Sequence, residues 1–490
     1  MIDYIAAHGR ARGAALACVD LASGRRWSWA AFDADVDRAA NELLARFGPA
    51  SGARVATLAR NRADLLILQL GCARAGAIFV PLNWRLAEPE IAALLADSGA
   101  VLLVADDDFA APGYSGERLI SADWTAAIAT RPATPPPITA RQPWDAPTTL
   151  LYTSGTSGLP KGVMISEANA WWGSIAFMLG NQVASDSVFL VDNPLFHTAG
   201  LFAAARTPLL AGGTVLISSG FDPAVTLARL ADPALRVTHY FSVPQMAQRL
   251  WNAPGFDPAM LRGLTVLATG GAPNPAAQIE RFVTAGIAMS DGFGMTETCS
   301  TTGMPVGDPA QLINKAGSIG LPYAGVSLRI VDEEGRDLPD GEVGELWVRG
   351  PGVTAGYWNR PALSAAAFCD GWFRSGDLVR RDADGFYFIV DRRKDMYISG
   401  GENVYPAEVE TVLAELAEVA ECAVIGVPDA RWGEVGRAFV VAAPGRTVTG
   451  EQLLGHCRAR LAAFKVPATI VCGRPIPRTA SGKVQKHLLR

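Results

Sequence analysis

Short apolar runs, β-branched or leucine-rich, at 150–153, 188–191, 214–217, 237–241 and 264–268 alternate with alanine-rich segments whose apolar positions recur at helical spacing. Runs of four or five such residues read as strands, and the intervening periodicity as helices that cover them. The pattern predicts strand–helix–strand units around a largely parallel sheet. The stretch RPATPPPITARQP from Arg131 reads as a connector, because proline fixes φ and removes a donor. From about residue 325 the texture changes to charged, Gly-punctuated short runs, SLRIVDEEGRDLPDGEVGELWVRG, which predict the hairpins of a smaller β subdomain. Further on, helices are predicted over 406–416 and 450–461, with strands over 423–427 and 438–442, as a last α+β unit.

Composition narrows the class. A chain of 490 residues, 49% hydrophobic and 19% charged, can bury a sizeable core and should divide into more than one unit. A net charge of −5 excludes a broadly basic nucleic-acid binder, so any phosphate site must be built locally. The seven cysteines are scattered and form no CxxC pair, which argues against zinc or a disulfide framework and for buried thiols in a reducing compartment. The opening MIDYIAAHGR lacks the basic head and apolar core of a signal peptide, and the longest uncharged stretches are interrupted by Asn, Gln, Gly and Ser. A cytoplasmic protein with no integral membrane association and no nucleic-acid partner is expected; a homodimer is compatible with this reading.

The most informative segment is YTSGTSGLPKGVMIS at 152–166, in which Thr153, Ser154, Thr156 and Ser157 alternate with Gly155 and Gly158 ahead of Lys161. Glycines let backbone N–H groups approach a polyphosphate, hydroxyls add donors, and a lysine supplies charge to the outer phosphates. Gly162 follows Lys161 where a P-loop needs Ser or Thr, so this is not a Walker A loop. A plain Ser/Gly linker would not need a strand on either side and one lysine at its end.

The segment resembles the signature loop of the adenylate-forming superfamily, which includes acyl- and aryl-CoA synthetases, and similarity to bacterial feruloyl-CoA synthetases and aryl-CoA ligases extends over nearly the whole chain. The resemblance implies a large N-terminal domain of stacked α/β units with a β subdomain, at 1–392. It also implies a small mobile α+β domain at 393–490 that pivots at Lys394. DGFGMTET at 291–298 is similar to the second motif, implying Thr296 at the α-phosphate and Glu297, with Thr156, on Mg²⁺. Gly271, Ala272 and Pro273 stand at the adenine turn, followed by Asp291, Gly292 and Phe293, the last where an aromatic packs on the purine. Asp377 and Arg392 fall at the ribose hydroxyls. Lys483, in PRTASGKVQKHLLR, corresponds to the lysine that bridges the carboxylate and the α-phosphate during adenylation.

The same resemblance places the acid beside Phe196, His197, Thr198 and Ala199, with Phe241, Gly270, Gly292, Gly294 and Met295 as pocket walls and His197 at its mouth. Coenzyme A would meet Arg85, Ser399, Gly400, Gly401, Trp432 and Phe464. The implied activity is ATP-dependent acid:CoA ligation through an acyl-adenylate, with release of AMP and pyrophosphate. The expected substrate is a hydroxycinnamate-like aromatic acid or a medium-chain fatty acid; the alternative is a stand-alone enzyme that loads a separate carrier protein.

Overall fold

The computed structural model describes residues 3–111, 113–153, 160–392, 395–399, 402–429, 431–478 and 484–489, with the backbone alone at Arg392 and Asn403. The α/β part contains two sheets where the hydrophobic pattern suggested one. Six strands run in the order Glu117–Ile120, Leu102–Ala105, Arg54–Leu58, Ile78–Pro81, Pro147–Thr153 and Lys161–Ser166, all parallel except the last pair. The second sheet has nine strands. Its parallel centre comprises Leu16–Asp20, Thr214–Ile217, Val188–Val191, His239–Ser242, Val266–Thr269 and Met289–Met295, with antiparallel strands at both edges. A strand buried on both faces looks alike in either sheet, so apolar runs predict such strands without assigning them to partners.

One apolar core draws on both sheets, through Val55, Phe79 and Leu151 of the first and Val191, Val215 and Phe241 of the second. Helix Ala63–Ala75 contributes to this core with 12 of its 13 residues buried, as a helix without a polar face must be. Close packing reaches the backbone: a Cβ at Gly71 would lie 2.8 Å from that of Ala39 on helix Trp29–Phe47.

The Gly-punctuated region forms the expected β subdomain, an antiparallel sheet of Ser327–Val331, Gly344–Arg349, Phe368–Cys369, Trp372–Arg381 and Tyr387–Arg392. The C-terminal sheet contains Tyr397–Ser399, Glu402–Val404, Val419–Asp429, Gly433–Ala442 and Thr469–Cys472, and carries helices Pro406–Ala414 and Gly450–Arg458. It has its own core of Tyr397, Val409, Leu413, Val424, Val440 and Leu453. Among the described residues no helix is long and apolar enough to cross a membrane.

Candidate active site

Strands Pro147–Thr153 and Lys161–Ser166 pair antiparallel with Thr153 opposite Lys161, so the two residues stand at the mouth of the glycine-rich loop. Ser154, Gly155, Thr156, Ser157 and Gly158 lie outside the described residues. On its other side, strand Lys161–Ser166 is held by residues 354–358: Met164 N–H donates to Gly356 O at 3.0 Å, and Trp358 N–H to Gly162 O at 2.8 Å.

Strand Met289–Met295 leaves the parallel sheet and turns back at once through Thr296, Glu297 and Thr298 into Cys299–Gly303, with Met295 opposite Cys299. A hairpin therefore stands where a Thr-Glu pair taken alone suggests a helix start. Two glycines permit it. A Cβ at Gly294 would sit 2.3 Å from Cys299 O, and one at Gly292 would sit 2.8 Å from Thr302 O. These contacts are too short for any side chain, so both glycines serve close backbone packing whatever else they line. Thr296 and Met295 remain half-exposed beside them.

Glu297 is buried, and its position is set from two directions. Thr354 N–H donates to its backbone oxygen at 2.8 Å, and Tyr357 Oη donates to its Oε1 at 3.1 Å. The same Tyr357 ring lies beneath Lys161 Nζ, 4.6 Å from the ring centre. Burial, followed by the Glu297 carboxylate, pushes the Tyr357 hydroxyl well above its ordinary pKa, so it stays protonated and donating. Glu297 offers hard carboxylate oxygen beside a lysine and a phosphate-type loop, a donor set that fits a magnesium ion shared with phosphates.

The turn after strand Val266–Thr269 exposes Gly271, at φ +81, and Pro273, while Asn274 is buried. Asn274 Nδ2 donates to Thr269 Oγ1 at 3.0 Å, Asn274 Oδ1 accepts from Gln278 Nε2 at 3.0 Å, and Thr269 Oγ1 donates to Asp291 Oδ1 at 2.8 Å. Asp291 is thus only 4% exposed and tied to the strand beneath the turn. Burial raises its carboxyl to about 7, although Thr269, Gly292 and Asn274 pull the other way. A carboxyl held above its unfolded value contributes stability at low pH and loses it as pH rises through the folded value. Asp291→Asn removes that titration, so wild-type stability relative to the variant should fall between about pH 4 and pH 7. Paired thermal melts across that range measure the difference, and parallel curves would refute it.

Phe293 is half-buried and packs against the apolar cluster that joins Ile319 to Val348 and Tyr387 of the β subdomain. Asp377 is 1% exposed, and its N–H donates to Ser375 Oγ at 3.1 Å. It pairs in register with Arg392, so the two residues expected at the ribose are cross-strand neighbours.

The Phe196 and His197 rings meet edge to face, with centres 4.7 Å apart. Thr198 opens directly into a π-helix, Ala199–Arg206, a rare element that recurs at functional sites. Gly200 makes the entry feasible, since a Cβ there would lie 2.1 Å from Pro194 O. Across this region Phe241 packs on Phe177 of helix Glu167–Gly180, ring centres 6.1 Å apart, and a Cβ at Gly270 would be 3.6 Å from Phe241. Arg85, expected at coenzyme A, lies over Trp84 and Phe196, 5.0 and 5.8 Å from the ring centres, and so joins the His197 end of the site.

Ser399 pairs with Gly433, beside Trp432, which is 46% exposed beneath Arg431 at 4.7 Å. Phe464 instead packs half-buried against the C-terminal core. Lys394, Gly400, Gly401 and Lys483 lie outside the described residues, as does the Arg392 side chain. Tyr357 and Thr354 escape the sequence reading, because a single tyrosine in AGYWNRP carries neither periodicity nor a motif of its own.

Comparison with known proteins identifies the family. Residues 5–358 match the model of the AMP-binding enzyme family, and residues 408–483 that of the AMP-binding enzyme C-terminal domain. A feruloyl-CoA synthase of Amycolatopsis sp. is 41% identical over 473 residues, covering 95% of this chain and 94% of the relative. An indoleacetate–CoA ligase of Aromatoleum aromaticum is 36% identical over 479 residues, 95% and 93% of the two chains. The solved o-succinylbenzoate CoA synthetase of Bacillus subtilis, in complex with ATP and a magnesium ion, superposes with a TM-score of 0.89 at 30% identity, covering 99% of both chains. The chain belongs to the AMP-binding enzyme family, and its activity is that of an AMP-forming acid–CoA ligase.

Proposed function

We propose that the protein activates an aromatic acid of the hydroxycinnamate type, with medium-chain fatty acids as the next substrate class, and passes the acyl group to coenzyme A. The observation that carries the reading is the convergence of Lys161 and Glu297 on Tyr357, which brings the phosphate-type loop and a hard carboxylate to one place. Lys161, Thr153 and the loop between them bind the triphosphate, Thr296 meets the α-phosphate, and Asp377 with Arg392 holds the ribose. Glu297 holds the magnesium ion, which when bound offsets the charge of the departing pyrophosphate.

The acid enters past His197 toward Phe241, Phe177 and the glycine-rich strand end, an apolar site suited to a flat ring. Similarity to a feruloyl-CoA synthase supports the same class. Lys483 serves adenylation; Ser399 to Gly401 and Trp432 serve thiol transfer; Lys394, at the start of a domain spanning 393–490, is the pivot between them. The test is AMP release against a panel of hydroxycinnamates, benzoates, indoleacetate and C6–C12 fatty acids, with and without CoA. The highest kcat/KM is expected for a hydroxycinnamate with CoA present. Transfer to carrier proteins but never to CoA would overturn the proposal in favour of a carrier-loading enzyme, and preference for a saturated chain would overturn the substrate class.

A further inference from the structure

From the geometry around residues 354–358 we infer that Tyr357 is a positioning residue for adenylation: its ring holds Lys161 and Glu297 apart, and its hydroxyl aims the Glu297 carboxylate. The inference rests on the assignment of Lys161 to phosphate and Glu297 to the cation. Tyr357 is 5% exposed and touches the two groups with different parts of its side chain, the ring face toward Lys161 Nζ and the hydroxyl toward Glu297 Oε1.

Lys161 and Glu297 carry opposite charges and meet on different parts of Tyr357, and no ion pair among the described residues joins them. Paired directly, each would neutralise the other, and substrate binding would first have to break the pair. The aromatic ring prevents this. It gives the ammonium a favourable surface that competes weakly with phosphate, and gives the carboxylate one neutral donor that leaves its charge for a cation.

The backbone around Tyr357 is fixed on both sides. Thr354 N–H reaches Glu297 O, while Thr354 Oγ1 lies 2.5 Å from Met164 O and 3.0 Å from Gly356 O. Tyr357 N–H donates to Ser364 Oγ at 2.9 Å, and Val163 forms a bridge with Tyr357. The segment thus straps the Thr296–Thr298 turn to the strand that begins at Lys161. Positions of both charged groups follow one tyrosine.

The experiment compares Tyr357→Phe, Tyr357→Leu and Glu297→Gln by three measurements. These are Mn²⁺ binding by electron paramagnetic resonance in the presence of a non-hydrolysable ATP analogue, ATP–pyrophosphate exchange, and thioester formation from supplied acyl-adenylate. Phe keeps the spacer and loses the aim: Mn²⁺ affinity should fall about tenfold, with KM for ATP at saturating metal unchanged. Leu loses both, so KM for ATP should rise as well. Thioester formation should be spared in each. Wild-type Mn²⁺ affinity in Tyr357→Phe, or equal loss of both half-reactions, would overturn the inference. Should Leu not fold, the Phe variant decides alone. If Glu297→Gln keeps wild-type metal affinity and exchange, it is the underlying assignment that fails; if Glu297→Gln loses both while Tyr357→Phe loses neither, only the role of Tyr357 fails.

Discussion

Lys483→Ala should lower acid-dependent ATP–pyrophosphate exchange by about a hundredfold or more while sparing thioester formation from supplied acyl-adenylate. In the first half-reaction a carboxylate must approach an α-phosphate, two anions that repel, and a lysine placed between them lowers that repulsion as charge develops. In the second, the mixed anhydride is already made and no such approach remains. The chain on both sides of Lys483 is anchored. Arg478 and Val484 bridge one another, and Lys486, half-buried, pairs with Glu410 at 2.8 Å on helix Pro406–Ala414. Those contacts are made by residues other than Lys483, and the effect of the substitution is expected to fall on chemistry. Equal loss of both half-reactions in a folded variant would refute the division of labour. Loss of neither would remove Lys483 from the site.

What could be read from the chain alone follows from the range of the interactions involved. Strands Val188–Val191 and Thr214–Ile217 coincide with their apolar runs, because a strand covered on both faces ends where its apolar residues end. Strand Val419–Asp429 extends beyond the run at 423–427, since antiparallel pairing with Gly433–Ala442 continues through Glu421, Pro428 and Asp429, whose side chains need no burial. The helix read over 406–416 ends at Ala414, because Glu415 and Leu416 donate back three residues to Val412 and Leu413 in a tightened last turn, while Leu416 still packs on the C-terminal core. The second sheet was invisible, because sheet membership is decided by contacts between residues far apart in sequence.

The site divides in the same way. Lys161 and Glu297 stand in motifs of contiguous residues and are legible at once. Tyr357 becomes visible only when the fold brings its hydroxyl to Glu297, 60 positions earlier in the chain. Asp291 is read from its motif position, and only folding shows that its carboxyl lies beneath the turn, bonded to Thr269.

The largest loss of stability is expected from Glu167→Ala. Arg206, 1% exposed at the end of the π-helix, reaches Glu167 with both terminal nitrogens, at 3.0 and 2.8 Å, and Tyr4 Oη with Nε at 2.9 Å. Thr148 Oγ1 donates to the same carboxylate at 3.0 Å. Four segments meet here, including the strand that leads to Thr153 and the π-helix that begins beside His197. Removing Glu167 leaves a guanidinium that cannot shed its proton in the core, a change that costs about 3–5 kcal/mol. Arg206→Met should cost less, because a carboxyl without its partner can take up a proton. The double variant Glu167→Leu, Arg206→Met should recover much of the loss, since apolar groups of similar size need no compensation.

The pH dependence has a definite sign. Burial pushes the Glu167 carboxyl up, but Arg206 and Thr148 outweigh it and hold it below its ordinary value. Its contribution is therefore present above the ordinary carboxylate range and is lost as pH falls toward the lowered folded value. Urea midpoints of wild type and Glu167→Ala should lie furthest apart near neutral pH and converge in acid. A gap that widened on acidification, or a double variant no better than Glu167→Ala, would show that this pair does not hold the strand and the π-helix together.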